Sequence, residues 1–446
     1  MTSTDSQADA TTNPAADRPG RRPRAARAAR STVVAWTAWA ATRALLLLYV
    51  LRVLTLPGPD VTTDVAVIYR GWADVLAAGT FPLDDVTWQY PPAAALPILA
   101  PRLLPFLSYT TAFVALLLAV DAATLALLLR AGRRPGHRRA GAWMWIAGVA
   151  LLGPTGYARY DLLVAAVAAA ALLTAAHRPR TAGALLACGA LLKVWPVLLL
   201  VGAPLRGRRA RALWGSAVGW GAGLLLVAVL AAPGALAFVD FQRDRGTEVE
   251  SLGALALHLA RHAGWPGEVQ LHYGSLEFLG PGVPLISALA LALSGAALAW
   301  LVRWRLRTGG PTPATLGDAA FTAVLLFVTT SRVISPQYLL WLVGTAAAGL
   351  TVRASRQGPS AVLVLLAAAV TLLEFPAHFA DVVTSTPWGI ALLTVRNGLL
   401  VAASLLACHR LRTADGPGRP APDAGVPGAR PPLSPAPDAH TPATSR

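Results

Sequence analysis

The chain has 446 residues, 55% of them hydrophobic and 13% charged, with a mean hydropathy of +0.53 and a formal net charge of +16. A soluble domain carries about 25% charged residues, which excludes soluble enzymes and scaffolds, and repeated apolar runs of about 18 or more residues exclude a β-barrel, whose segments are short and alternating. The basic residues sit in short clusters between apolar runs and no DNA-binding motif accompanies them, so they mark membrane topology and no nucleic-acid partner is expected.

Residues 1–32 are polar and carry six arginines between Arg18 and Arg30, the pattern of a disordered cytoplasmic tail. The run Val33–Leu54 is too long for a signal-peptide core and no small-residue cleavage site follows, so it is read as an anchoring span. A first external loop follows, about residues 55–91. Within it Val65, Ile68, Trp72, Val75 and Leu76 recur at helical spacing, with Thr62 or Thr63 as N-cap and Gly79 as stop. This predicts an amphipathic helix along the outer membrane surface with Asp64 in its first turn. Tyr90–Pro105 contains Pro91, Pro92, Pro97, Pro101 and Pro105 and is expected to form a broken or re-entrant helix buried against protein.

Further spans are predicted near 110–130, 141–156, 161–176, 212–232, 282–302, 317–331, 338–352, 360–376 and 389–409, with a second external loop at about 233–281. Residues 411–446, rich in Pro, Gly and Ala, read as a disordered cytoplasmic tail, which leaves 33–410 as one multi-span membrane domain. Alternate loops hold 24 arginines on one side against six (Arg70, Arg159, Arg243, Arg245, Arg261 and Arg332) on the other. This asymmetry places both termini in the cytoplasm and the two long loops outside. Residues 181–205 lie between two arginine clusters that must share a side, and 25 residues are too few for two full crossings at about 1.5 Å per residue. They therefore predict a hairpin of short helices broken at Lys193-Val194-Trp195-Pro196, with Lys193 at its apex. The fold expected is an all-α polytopic integral membrane protein of about 12 transmembrane helices, and the Ala/Arg/Gly/Pro-heavy usage suggests a GC-rich bacterial source and hence a bacterial plasma membrane.

Lys193 is the only lysine in the chain. An ionisable group deep in an apolar segment costs about 3 kcal/mol even on lenient scales. It therefore either snorkels to the interface or serves a ligand, and an external apex suits a phosphate. Arg159 and Arg332, at equivalent outer helix ends, can act with it or pair internally, Arg159 having Asp161 close by. Asp64 likewise has two readings: it complements the helix dipole, or it stands where a lipid-borne head group would lie. Asp60, Asp74, Asp84 and Asp85 read as solvated loop charges, and Asp121 as the only acid clearly at mid-span, where it and Arg43 pair or face a cavity. His258 and His262 have ligand spacing without a metalloprotease context, so no metal site is assigned. Cys188 and Cys408 fall in apolar runs and support neither a disulfide nor a redox site. There is no phosphate loop, dinucleotide fingerprint or serine-nucleophile elbow, and no cofactor is expected.

Five segments occur in an order that resembles glycosyltransferase family 87 of the type C superfamily. They are Asp64-x4-Tyr69-x2-Trp72-x6-Gly79-x-Phe81-Pro82 with Tyr90-Pro91-Pro92; Arg159-Tyr160-Asp161-Leu162; Leu192-Lys193-Val194-Trp195-Pro196; Asp244-Arg245-Gly246 with Val249-Glu250-Ser251-Leu252; and Ser335-Pro336-Gln337-Tyr338-Leu339-Leu340-Trp341. The resemblance implies a membrane enzyme that takes a sugar, usually mannose, from a polyprenyl-phosphate donor on the outer face. Its known relatives include actinobacterial α-1,2-mannosyltransferases that extend glycolipid or cell-envelope glycan acceptors. It further implies that Asp64, in the first external loop, is the catalytic base, and it marks Glu250, Gln337 and Tyr338 by motif position as sugar or phosphate contacts. Leu83 stands where many members have an aromatic after the proline, a departure that bears on the acceptor.

Such an arrangement suffices for a one-step inverting transfer, with Asp64 taking the proton of the attacking hydroxyl and Lys193, Arg159, Arg245 or Arg332 stabilising the departing phosphate. Tyr69, Trp72, Trp88 and Tyr90 either stack on sugar rings or pack the loop. A transporter or flippase for lipid-linked sugars is the rival reading, since broken helices and a mid-membrane lysine suit both. Clustering of five acids in the first external loop favours the enzyme.

Overall fold

The computed structural model describes residues 21–83, 85–243, 245–308 and 312–414. Asp84, Asp244 and the tail segments 1–20 and 415–446 lie outside the described residues. Helix α1, Arg21–Val50, begins inside the segment expected as a tail, because its Arg- and Ala-rich sequence favours helix and simply prolongs the span. Asp64–Tyr69 form a π-helical turn that runs into α2, Arg70–Ala77. Neither threonine caps this start. Thr62 instead gives its N–H and Oγ1 to Asp60 Oδ1 at 2.9 and 2.8 Å, which closes the preceding turn. Gly79 ends the helix at φ +92°, a value costly for any residue with a Cβ. The apolar face of the helix is buried by protein: Val65, Tyr69, Trp72 and Ala73 join the main core, so the helix docks on the bundle and does not merely float on lipid.

The proline-rich stretch folds as a 3-10 turn Pro92–Ala94, helix α3 Ala95–Leu99 and a second 3-10 turn Ala100–Leu103. It is broken as expected but only one side is covered: Ala94 and Ile98 are buried, whereas Leu96 and Leu103 are exposed. Tyr109 Oη fastens it, donating to Ile98 O at 2.7 Å and Tyr69 O at 3.2 Å. Then come α4 Tyr109–Ala131, α5 Ala140–Leu151, α6 Asp161–Ala175 and α7 Pro179–Leu192. Lys193 breaks α7 in extended conformation, and the chain returns through a 3-10 segment, Trp195–Gly202, to α8, Arg208–Ala231. The second long loop holds α9 Phe238–Arg243, α10 Ala254–His262 and a small sheet of β1 Thr247–Glu248, β2 Glu268–His272 and β3 Ser275–Leu279 in the order β1-β3-β2. This sheet is absent from the sequence reading. The remaining helices are α11 Val283–Arg307, α12 Pro313–Thr330, α13 Tyr338–Leu350, α14 Gly358–Leu372 with a π-turn Leu373–Ala377, α15 Phe379–Val383 and α16 Pro387–Ala414.

Seven of these helices are long and apolar enough to cross a membrane (α1, α4, α8, α11, α12, α14 with its π-turn, and α16), and four shorter apolar ones, α5, α6, α7 and α13, lie among them. The chain is an all-α polytopic membrane protein. Twelve crossing elements result only when the 3-10 arm Trp195–Gly202 is included, as the hairpin between the two arginine clusters requires. The arginine-rich loops gather at one end, where Arg138 donates to Leu350 O, Arg305 to Ala203 O and Arg410 to Arg356 O. Arg52 and Arg102 join the opposite end without reversing the asymmetry.

Short helices pack closely because small residues let backbones touch. A Cβ on Gly141 would stand 2.1 Å from Ala347 O, and one on Gly317 2.8 Å from the Cα of Gly349. Arg43 and Asp121 do pair, at 2.7 Å and fully buried, and Asp121 also accepts from Trp145 Nε1 at 2.5 Å and from Tyr157 Oη. Removing one donor from a buried carboxylate costs about 1.5–3 kcal/mol. Tyr157→Phe should therefore lower the thermal unfolding midpoint in detergent by several degrees, and an unchanged midpoint would remove this network as a structural element. Glu374 and Asp318 are also buried within spans, but near the ends of theirs, so Asp121 keeps its mid-span place.

Candidate active site

The end of the bundle opposite the arginine-rich loops brings four of the five recurring segments around one ion-paired chain. Asp64 Oδ2 meets Arg159 Nη2 at 2.6 Å. The π-turn at Asp64–Tyr69 sets the carboxylate, and the 3-10 turn Gly153–Tyr157 that interrupts α5 from α6 presents the arginine. Arg159 Nη1 is held in turn by Val61 O at 3.2 Å and Ala158 O at 2.8 Å. The other carboxylate oxygen of Asp64 makes no hydrogen bond among the described residues, and its side chain is 37% exposed. Both a helix start and a charge partner thus act on Asp64, and one oxygen stays available.

Two residues beyond Arg159, Asp161 opens α6 and faces Lys193 across the hairpin apex, with Nζ 2.5 Å from Oδ1. The same oxygen accepts Trp341 Nε1 at 2.7 Å. Lys193 is 11% exposed and lies over four rings, Trp341 at 5.1 Å, Tyr90 and Tyr160 at 5.3 Å and Tyr338 at 5.6 Å. A desolvated ammonium gains from such faces. The lysine neither snorkels nor stands free: it is paired, and a phosphate approaching it would meet an ammonium with one of its three donors committed to Asp161. Arg159 pairs with Asp64, not with Asp161 as its sequence neighbourhood suggests. Tyr160 and Trp341 are partners that sequence reasoning did not single out, and Asp161 was weighed only as a partner for Arg159; their presence inside two of the recurring segments is the available signal.

The aromatic residues pack mainly on one another. Tyr69 stacks on Trp72 at 5.5 Å and approaches Tyr160 at 6.0 Å, Trp72 meets Trp88 edge-on at 5.1 Å, and Tyr90 meets Tyr160 edge-on at 5.2 Å. Tyr69, Trp72 and Trp88 are buried, while Tyr90 and Tyr338 are half-buried beside Lys193. Asp85 is no solvated loop charge. It accepts Trp72 Nε1 at 2.7 Å and the N–H and Oγ1 of Thr87 at 2.9 and 2.5 Å. Burial pushes its carboxyl up, but these bonds outweigh that and hold it below the ordinary range. Asp60 is likewise engaged, whereas Asp74 is exposed beside Arg102.

The second long loop packs against the first at this end. Gln89 donates to Tyr273 O at 2.6 Å and Gln242 to Gln89 O at 3.1 Å, which ties the two long loops together. Arg245 donates to Ser275 Oγ at 2.6 Å and lies 3.5 Å from Glu277. Burial lowers its guanidinium, but Tyr338, Glu248 and Glu277 outweigh this and raise it above its usual value, which also places Tyr338 in its field. Arg332 donates to Gln242 O at 2.8 Å. Glu250 is buried against Arg396 and Glu374, and burial followed by the repulsion of Glu374 drives its carboxyl well up. Among the described residues there is no group of three or more metal-type ligands, and His258 is instead fixed by Ser385 Oγ at 2.7 Å and Val249 O at 2.8 Å.

Glu248, unremarked in the sequence beyond its charge, holds the turn before Tyr338. Its oxygens accept Ile334 N–H at 2.6 Å and Ser335 Oγ at 2.9 Å. Glu248→Ala removes both bonds at a local cost of about 1.5–3 kcal/mol each. Backbone amide exchange at Ile334 should accelerate while that within α13 stays slow, and unchanged exchange at Ile334 would contradict the clamp.

The sequence model of glycosyltransferase family 87 matches residues 88–336, more than half of the chain. The chain belongs to glycosyltransferase family 87. The matched region includes Arg159, Asp161, Lys193, Arg245, Glu250 and Arg332, whereas Asp64, Tyr69 and Trp72 precede it and Gln337 and Tyr338 follow it. Neither a curated protein nor a solved structure matches the chain. Membership makes the protein a glycosyltransferase, which acts on a sugar donor and an acceptor, and its apolar helices put it in a membrane.

Proposed function

We propose that this family 87 member is an inverting mannosyltransferase that moves mannose from a polyprenyl-phosphate donor to a glycolipid or cell-envelope glycan acceptor, forming an α-1,2 linkage at the extracytoplasmic face of a bacterial plasma membrane. The observation that carries the reading is the Asp64–Arg159 pair beside the ring-lined Asp161–Lys193 pair. One carboxylate oxygen is anchored and the other is available. The arginine count of the loops supports the orientation, and the motif resemblance supports the donor, the sugar and the linkage.

In the step we propose, the free oxygen of Asp64 accepts the proton of an acceptor hydroxyl as the hydroxyl oxygen bonds to the anomeric carbon. The carbon–phosphate oxygen bond breaks on the opposite face, and the electron pair leaves with the polyprenyl phosphate. Phosphate leaves without protonation, so no second carboxylic acid is needed. Lys193 and Arg159 neutralise the charge that develops, and Arg245 and Arg332, on the loops at the same end, add positive charge there. Tyr90 and Tyr338, half-buried beside Lys193, are the rings best placed to meet a sugar, whereas Tyr69 and Trp72 hold the loop that carries Asp64. Gln337 is half-buried immediately before Tyr338 at the start of α13, and Glu250 acts only through Arg396 and Glu374. Inversion at a β-linked phosphomannose gives an α-mannoside. NMR of the product formed from polyprenyl-phosphate mannose should show a new α-1,2-linked residue; a β anomer would overturn the one-step mechanism, and another sugar or linkage would overturn that part of the assignment.

A further inference from the structure

At the opposite, arginine-rich end, a groove of about 630 Å³ runs along α8 beside the start of α7, lined by Arg180, Arg208, Arg211, Gly215, Gly219 and Trp220 among others. Arg138, Arg305 and Arg410 at this end each donate to a backbone carbonyl. The guanidiniums of Arg180, Arg208 and Arg211 have no acceptor among the described residues, and no acid lines the groove. Three unmatched cations around a concave surface call for an anion.

The floor of the groove says what is attached to that anion. Gly183 is needed where the two helices touch, since a Cβ there would lie 2.3 Å from Leu213 O. A Cβ on Gly215 or Gly219 would meet nothing within 4 Å. Glycine inside a helix costs about 1 kcal/mol relative to alanine, and no protein packing accounts for that cost here. The two glycines instead extend the groove along α8 from the arginines to Trp220, a descent of about 18 Å from Arg208 at 1.5 Å per residue. Trp220 is 56% exposed, and only 11% of the apolar window of α8 is buried by protein, so this face of the helix looks into the bilayer.

We propose that the groove binds an anionic phospholipid, its phosphate held by Arg180, Arg208 and Arg211 and an acyl chain laid over Gly215 and Gly219 against Trp220. Basic pockets between helices at the cytoplasmic surface suit such head groups. The site stands at the far end from Asp64, and it does not depend on the transferase being a mannosyltransferase.

Native mass spectrometry of the full chain, with phosphatidylglycerol and phosphatidylcholine added in equal amounts, tests it. The wild type should retain phosphatidylglycerol at least about fivefold over phosphatidylcholine, and each of Arg208→Gln and Arg211→Gln should cut that retention about fivefold. Gly215→Leu/Gly219→Leu puts each Cβ in open space, fills the floor and keeps every charge; it should lower retention with an unfolding midpoint at or above that of wild type. Equal retention of the two lipids by the wild type would overturn the site, as would wild-type retention by the folded leucine variant. Displacement of the lipid by equimolar inorganic phosphate would overturn the acyl groove.

Discussion

Asp64→Asn is expected to lower sugar transfer about 10²–10⁴-fold, the range that a positioned general base contributes. Asparagine keeps the size of the side chain, and its carbonyl can still accept from Arg159 Nη2, so the loop should keep its place and the apparent KM for donor should change little. The loss then lies in kcat. Other acids at this end are committed elsewhere: Asp85 to Trp72 and Thr87, Glu248 to Ile334 and Ser335, and Asp161 to Lys193 and Trp341. Rates measured at matched protein levels check the assignment, and activity within tenfold of wild type would take the role of base away from Asp64.

Lys193→Met is expected to cost about 3–5 kcal/mol, because it leaves the Asp161 carboxylate buried without its cation. Methionine fills most of the space within the ring cage, so the cost is electrostatic and not a cavity. Thermal unfolding in detergent should show a clearly lowered midpoint. Lys193→Met/Asp161→Asn removes both charges while leaving an oxygen for Trp341 Nε1, and most of the stability should return. Transfer activity should not return with it if the ammonium meets the leaving phosphate. A single variant as stable as wild type would show that the pair contributes nothing, and a double variant with restored activity would limit Lys193 to holding the fold.

The spans were legible because bilayer thickness forces long apolar runs, and the hairpin at Lys193 followed from loop charge and residue count. Helix starts were less so: α1 prolongs into Arg21–Arg30 because arginine and alanine favour helix whether or not lipid surrounds them. The small sheet was missed since β1 has two residues and its partner β3 has an unusual burial pattern with Ser275 and Glu277 inward. Candidate residues were legible where a charge was conspicuous, as at Asp64, Arg159 and Lys193, which the structure gathers into two neighbouring ion pairs. Their exact partners were not, because Arg159 to Asp64 and Lys193 to Asp161 are contacts between distant segments that no local spacing encodes. Asp85, Glu248 and Glu374 look like ordinary acids until the backbone groups, indole and guanidinium they face are known.

The most direct measurement uses the purified full chain in liposomes that contain polyprenyl-phosphate mannose labelled in its sugar, with a membrane glycolipid acceptor. Label should pass to the acceptor without added nucleotide and should fail to do so in Asp64→Asn. Label that crosses the bilayer still attached to its polyprenyl carrier, with none reaching the acceptor, would contradict a polyprenyl-phosphate-dependent transferase and favour the flippase reading.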